Sequence, residues 1–296
     1  MKAKNILITG GSGFIGNHMV RKFSEEAKNV TIFDINEPVY DLNENAKFIK
    51  GDIFDLSSLK AVIEEADVII HLVGLADSGV AQQNPMKSFQ LNVISLQNVL
   101  EMCRITGGKK IIFPSSAAIY GITETLPIKE TFAPNPTNIY ASHKYICEKL
   151  IEYYQQNYGI PYVILRFFNV YGKGNEGIIG IFLENAKKGI EITSYGPYQH
   201  RDFIYAGELA DAVSGAVKYD KAVNKTINVG SGYGTQMKEI LEIVCEIYPD
   251  TKWKEIEATF TMYDSIADIT QAKILLGFEP HGSKEFMKDI ILKEMM

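Results

Sequence analysis

Asn5-Ile-Leu-Ile-Thr9-Gly10-Gly11-Ser12-Gly13-Phe14-Ile15-Gly16 is the stretch that decides the fold. A five-residue apolar run, Asn5–Thr9, passes straight into a glycine loop, and the loop opens a helical pattern over Ile15–Glu26. Each glycine has a physical reason. Gly10 permits the tight turn, Gly13 lets the backbone approach a pyrophosphate, and Gly16 lets the helix pack close to the sheet. The first turn of such a helix offers unpaired N–H groups and a partial positive charge to phosphates.

Glycine-rich turns are common, so the context matters. Here a strand precedes, a helix follows, and an acid, Asp34, ends the next apolar run, 18 residues past Gly16. A carboxylate there accepts hydrogen bonds from ribose hydroxyls and repels a 2′-phosphate, which favours NAD over NADP. The alternative for Asp34 is an ordinary solvated carboxylate.

Outward from this unit, strands are expected at Val30–Asp34, Ala46–Lys50, Val68–Val73, Lys110–Ser115 and Tyr162–Phe167, all nearly apolar. Helices are expected at Ser57–Glu65, Met86–Thr106 and Asn138–Asn157. Apolar strands alternating with helices imply βαβ units and a parallel sheet covered on both faces. Past Gly172 the pattern loosens. Helices are expected near Ile179–Lys188, Glu208–Lys218, Gln236–Ile247, Thr270–Leu276 and Lys284–Glu294, and strands at Arg201–Ile204 and Thr226–Val229. The fold class is α/β: a Rossmann-type doubly wound parallel sheet with a smaller C-terminal α/β substrate-binding region. The dinucleotide-binding part takes residues 1–172, with 203–230 returning to it; the substrate region takes 173–202 and 231–296.

The 296 residues are 46% hydrophobic, with a net charge of -6. No basic face is implied, so nucleic acid is not an expected partner. No run is long enough for a membrane span, and the N-terminus lacks the apolar stretch of a signal peptide. Cys103, Cys147 and Cys245 are odd in number and far apart. They read as buried structural thiols of a reducing compartment, and the cytoplasm is the expected location. The five histidines form no metal pair, so no metal site is expected.

Tyr140-Ala-Ser-His-Lys144 lies near the start of an expected helix, and positions four apart share a face. A free phenol titrates near 10; a neighbouring ammonium and a cationic nicotinamide ring both favour phenolate. With 16 tyrosines in the chain, a Tyr-x-x-x-Lys match alone means little. Its weight comes from Ser115-Ser116-Ala-Ala-Ile-Tyr-Gly121, at the carboxyl edge of a buried strand, where open α/β sheets bind ligands. A serine there can hydrogen-bond a reacting hydroxyl.

With these residues in place the chain resembles the extended short-chain dehydrogenase/reductases, in particular the NAD-dependent epimerase/dehydratase group typified by the UDP-glucose 4-epimerases. The resemblance runs from about Asn5 to Pro280. It is carried in order by Gly10–Gly16, Asp34, Gly51-Asp52-Ile53, His71-Leu-Val-Gly, Asn92, the Ser116 segment, Tyr140-x-x-x-Lys144, Leu165-Arg-Phe-Phe-Asn169-Val-Tyr-Gly and Arg201-Asp-Phe-Ile. It implies that Tyr140 is the acid/base, Lys144 its electrostatic partner and ribose ligand, and Ser116 the ligand of a substrate hydroxyl. It implies further NAD contacts from Phe14, Ile15, Leu72, Val73, Asn92 and Phe167, with Asp52 and Ile53 at the adenine. Asn169 and Arg201 would meet the diphosphate of a nucleotide-sugar. The helices carrying Asn92 and Tyr140 would form a homodimer through a four-helix bundle.

Two departures from the group bear on activity. Dehydratases carry an Asp-Glu pair just after the position of Ser116; here Ala117 and Ala118 stand there, which argues against water elimination. Many members also have a second phosphate-binding arginine ahead of Ala267-Asp268, and Thr259–Ser265 contains none. Ala206-Gly207-Glu208 replaces a more usual valine–acid pattern, with no functional reading from sequence. Ser78, after the fourth strand, and His200, before Arg201, are further candidate substrate contacts. His143 is a weaker candidate, because neighbouring helix positions face apart. Phe167-Phe168 suits either a nicotinamide contact or core packing.

The leading expectation is an NAD-dependent nucleotide-sugar 4-epimerase working through a transient 4-keto sugar. A nucleotide-sugar dehydrogenase or ketoreductase would use the same residues. A non-catalytic NAD-binding regulatory protein would not need Ser116, Tyr140 and Lys144 together.

Overall fold

The computed structural model describes residues 4–174, 177–256 and 263–296. The first part of the chain runs β1 (Asn5–Thr9), α1 (Phe14–Glu26), β2 (Asn29–Asp34), β3 (Ala46–Lys50), α2 (Leu56–Glu64), β4 (Val68–His71), α3 (Ser78–Gln83), α4 (Pro85–Phe89), α5 (Ser95–Thr106), β5 (Lys110–Ser116), α6 (Ile139–Tyr158) and β6 (Tyr162–Phe167). Then follow β7 (Asn169–Tyr171), α7 (Ile178–Lys187), β8 (Ile192–Tyr195), β9 (His200–Tyr205), α8 (Ala206–Lys218), β10 (Lys225–Val229), β11 (Gly234–Gln236), α9 (Met237–Ile247), β12 (Trp253–Ile256), α10 (Thr270–Leu276) and α11 (Lys284–Ile290).

Seven strands form one sheet in the order β10-β6-β5-β4-β1-β2-β3, and every pairing in it is parallel. Alternation along β1 shows why it is covered on both faces. Ile6 and Ile8 pack with Met19 and Phe23 of α1 and Leu209 and Val213 of α8. Leu7, between them, packs on the opposite side with Leu59 of α2, Leu100 of α5 and Ile151 of α6. From β1 the chain winds outward through β2 and β3, then returns to β4 and winds the other way. The strand order therefore reverses between β1 and β4, and the crevice at their carboxyl ends is where such sheets take ligands.

Smaller sheets, β11-β9-β7 and β12-β8, stand beside the main one. Around them a further core gathers Ile179 and Phe182 of α7, Leu241 and Val244 of α9, and Met287 of α11. Among the described residues no helix is long and apolar enough to cross a membrane.

The expected helix Met86–Thr106 is interrupted by a π turn over Gln90–Ile94, and Lys284–Glu294 ends in another, Ile291–Met295. The strand expected at Val68–Val73 stops at His71, because the chain at Leu72 and Val73 passes under the Gly10 turn. The segment Asp77-Ser78-Gly79 is a helix start rather than a loop: Asp77 caps α3, accepting from Val80 N–H at 2.7 Å. Strands β7, β8, β11 and β12, three or four residues each, are too short to show a period.

Candidate active site

The glycine loop behaves as the sequence requires at two of its three positions. Gly10 has φ +74°, and a Cβ there would lie 2.7 Å from the backbone nitrogen of Val73. At Gly16 a Cβ would lie 2.2 Å from the carbonyl oxygen of Gly11. Gly13 differs. It is the N-cap of α1 with no side-chain cap, and a Cβ would meet only Gly10 O, at 3.5 Å. The space above the first turn of α1 is thus left clear for an anionic group, which is what a dinucleotide pyrophosphate requires. Asp34, at the end of β2, is turned toward this loop. It accepts from Ser12 N–H at 3.1 Å and from Asn36 N–H at 3.0 Å. These residues fit NAD.

A cleft of about 570 Å³ runs from the loop past Asn92, Ser116, Tyr140 and Lys144 to Phe167 and Asn169. A second cavity of about 240 Å³ continues it toward Gln199 and Arg201, sharing Asn169, Ile178 and Phe203. The two form one groove from the sheet crevice into the C-terminal region.

Tyr140 sits in the first turn of α6, whose N-cap, Asn138, accepts from Ala141 N–H at 2.9 Å. Its hydroxyl faces Ser116, at the end of β5, closely enough for the serine to lower its pKa. Burial pushes the phenol up to about 12; Ser116 opposes this. The Lys144 ammonium donates to Pro114 O at 2.7 Å. It lies 4.7 Å from the Phe113 ring centre and 5.9 Å from that of Tyr140. Burial lowers its pKa, while Cys147 and Glu148 act against that shift. His71, at the end of β4, is held between Thr9 Oγ1 (2.8 Å) and Ser95 Oγ (3.3 Å). Burial and then the Lys144 charge bring it down to about 3, so it is neutral.

In the C-terminal region, among the described residues, Arg201 makes only long bonds, 3.5 Å to His200 O and 3.4 Å to Gln199 Oε1, and stacks on Tyr263 at 4.8 Å. Burial lowers its pKa, with Tyr263 and Asp264 opposing. Asn169 Nδ2 donates to Asp202 O at 2.8 Å. Asp202 is fully buried. It accepts from Ser231 N–H (2.6 Å), Ser231 Oγ (2.8 Å), Gly232 N–H (2.9 Å) and Ala267 N–H (3.1 Å).

Several expected contacts are placed differently. Ile53 is in the core, 5% exposed, so only its backbone can face an adenine; Asp52 is exposed and caps Phe54 N–H at 3.0 Å. The Asn92 amide is spent on the chain after β4, with Oδ1 accepting from Leu75 N–H at 3.1 Å and Nδ2 donating to Leu75 O at 3.2 Å. It shapes the crevice rather than offering a free amide to it. Ser78 is exposed at the start of α3 and lines neither cavity. His200 also lines neither, its ring lying against Asp264 and Gln236. His143 pairs with Ser88, away from the cleft, at 2.9 Å. Of Thr259–Ser265, the part up to Met262 lies outside the described residues. Glu208, unread from sequence, accepts from both the backbone N–H and Nδ1 of His281, at 2.6 and 2.8 Å. Among the described residues no group of side chains could hold a metal ion.

Residues 6–230 match the model of the NAD dependent epimerase/dehydratase family. A protein of Methanocaldococcus jannaschii described as a putative UDP-glucose 4-epimerase is 36% identical over 249 residues, 81% of each chain. The solved UDP-glucose 4-epimerase of Thermotoga maritima with UDP-glucose superimposes with a TM-score of 0.88 at 31% identity, covering 97% of both chains. The UDP-glucose 4-epimerase of Brucella ovis in complex with NAD gives 0.90 at 27% identity, also covering 97% of both. The glycine loop, the acid after the second strand and the serine, tyrosine and lysine that meet in one cleft are therefore those of a member of the NAD-dependent epimerase/dehydratase family, to which this chain belongs.

Proposed function

We propose that the protein is an NAD-dependent nucleotide-sugar 4-epimerase that works through a transient 4-keto sugar. The convergence of Ser116, Tyr140 and Lys144 on a cleft that begins at the glycine loop carries this reading. NAD would be held by the backbone of Gly10, Gly13, Phe14, Ile15 and Gly16, by Asp34 at the ribose, by Asp52 and the Ile53 backbone at the adenine, and by Leu72, Val73, Lys144 and Phe167 along the crevice. The hydride acceptor and donor is the chemistry that NAD supplies when bound. Tyr140 takes the proton of the 4-hydroxyl and later returns it. Ser116, beside the phenol, presents that hydroxyl to it. Arg201, whose donors make only long bonds among the described residues, and Asn169 face the diphosphate.

Ala117 and Ala118 leave no carboxylate beside Ser116 to remove a second proton, which favours epimerisation over dehydration. The unpaired cysteines suit a reducing compartment, and we place the protein in the cytoplasm. A homodimer is supported by apolar side chains exposed on α5 and α6: Ile105, Ile146, Tyr153 and Tyr158 are 39–53% exposed.

The test is proton NMR of the purified protein with UDP-, GDP-, CDP- and dTDP-sugars and nothing added. Inversion at carbon 4 establishes the epimerase. Conversion only when NAD or a reductant is supplied, in stoichiometric amount, would show a net oxidoreductase instead.

A further inference from the structure

Tyr140, Lys144 and Glu148 are spaced four residues apart on α6. They lie on one face, each about 6 Å further along the axis. The first two have tasks in the reading above; the third has none. Glu148 is 0% exposed. Its Oε1 accepts from Ser115 Oγ at 2.5 Å and from Arg166 Nε at 3.0 Å, and its Oε2 from Arg166 Nη2 at 2.8 Å. Arg166, on β6, also donates from Nη1 to the Tyr120 hydroxyl at 2.8 Å and to Glu130 O at 3.3 Å. Tyr120 in turn donates to Asn228 at 2.7 Å. A buried ion pair is seldom a source of stability, because desolvation offsets the attraction.

What the pair does touch is the catalytic framework. Ser115 adjoins Ser116, so fixing one fixes the other. Of the other ionisable groups around the stripe, His71, Cys147 and Tyr120 are neutral near pH 7. His71, from β4, is held down to about 3 by burial. Cys147 on α6 and Tyr120 are each pushed up to about 12 by burial. Glu130, beyond Arg166, has its pKa raised by burial as well. The charges that line the stripe itself are Lys144, Glu148 and the partner of Glu148, Arg166.

We infer that the Glu148–Arg166 pair is a positioning element of the catalytic site: it joins α6, β5 and β6 at one point, keeping Ser116 and Tyr140 in register, and its two opposite charges offset one another at the Tyr140 hydroxyl, so that loss of either alone displaces the phenol's titration. This rests on Tyr140 being the acid/base. At about 12 Å and an effective dielectric near 20, a unit charge moves a titration by about one pH unit.

The experiment is an ultraviolet titration of tyrosinate in the NAD-loaded protein, each variant read against the same variant carrying Tyr140→Phe. Glu148→Gln should lower the Tyr140 midpoint by about half a unit or more. Arg166→Gln should raise it by a similar amount, and Arg166→Lys should leave it in place. The double variant Glu148→Gln/Arg166→Met, which buries no charge and keeps the test open if the single variants do not fold, should titrate as the parent does. Shifts of the same sign in both single variants, no shift in either, or a displaced midpoint in the double variant would overturn the inference. Undiminished turnover in Tyr140→Phe would instead remove the reading beneath it.

Discussion

The ammonium of Lys144 is 2.7 Å from the carbonyl oxygen of Pro114, two residues before Ser116 on the same strand. The cation proposed to favour phenolate at Tyr140 is thus anchored to the strand that carries Ser116. Tyr140 itself starts from an unfavourable position, with burial holding its phenol at about 12. Deprotonation near pH 7 requires about five pKa units, or about 7 kcal/mol of differential stabilisation. In the proposed mechanism a cationic nicotinamide ring and Lys144 together supply it. Tyr140→Phe should lower kcat by about 10²- to 10⁴-fold. Lys144→Met removes a positive neighbour and so raises the phenol further; activity should fall steeply at pH 7 and recover as pH rises. A pH–rate profile checks this, and a loss equal at every pH would reject the electrostatic role.

Gly10 carries φ +74° against the backbone of Val73. Gly10→Ala adds both strain and a clash with peptide atoms that cannot rotate away. The expected cost is about 1–3 kcal/mol, seen as a lower Tm, together with loss of co-purifying NAD. A variant that keeps its NAD and its Tm would contradict the close approach.

Asp202 is a buried carboxylate that accepts from two backbone segments beyond β10. Asp202→Ala leaves those N–H groups unpaired, and each costs about 1–3 kcal/mol. Because Arg201 is its neighbour on β9, KM for the nucleotide-sugar should rise more than kcat falls. Steady-state kinetics on whatever fraction remains folded distinguishes this from a general loss.

Lys110, buried at the start of β5, caps the end of α8, donating to Ala216 O at 2.6 Å. Burial lowers its pKa to about 8, with Lys4 acting in the same direction. Between about pH 8 and the unfolded value near 10.4 the unfolded chain binds the extra proton, so stability should rise with pH there, by at most about 3 kcal/mol. Urea unfolding across that range should show the slope in the parent protein and a flatter curve in Lys110→Met.

The sequence makes the sheet and the cofactor loop readable because both rest on local rules. Apolar strands such as Ile6–Ile8 and glycines at fixed offsets announce themselves within a few residues. Tyr140, Lys144 and Ser116 are legible through their spacing and place at a strand end. The supporting shell is not. Glu148 and Arg166 are 18 positions apart, and Thr9, His71 and Ser95 span still more, so nothing short of the folded chain pairs them. Asn92 illustrates the middle case: the family resemblance implied a ligand, but within the π turn its amide is committed to Leu75. His200 erred for a simpler reason, since adjacent strand residues point to opposite faces and Arg201 takes the groove side.

The Glu208–His281 contact bears on where this protein ends as a folding unit. The family match stops at residue 230, the glycine that directly follows β10. Yet Asp202 takes its partners from Ser231, Gly232 and Ala267, and Glu208 takes His281. A chain cut at that boundary would keep two buried acids and lose every group that satisfies them. Ser231, Gly232, Ala267 and His281 are thus the hydrogen-bond supply for two acids in the middle of the molecule, and residues 1–230 cannot be excised from them intact.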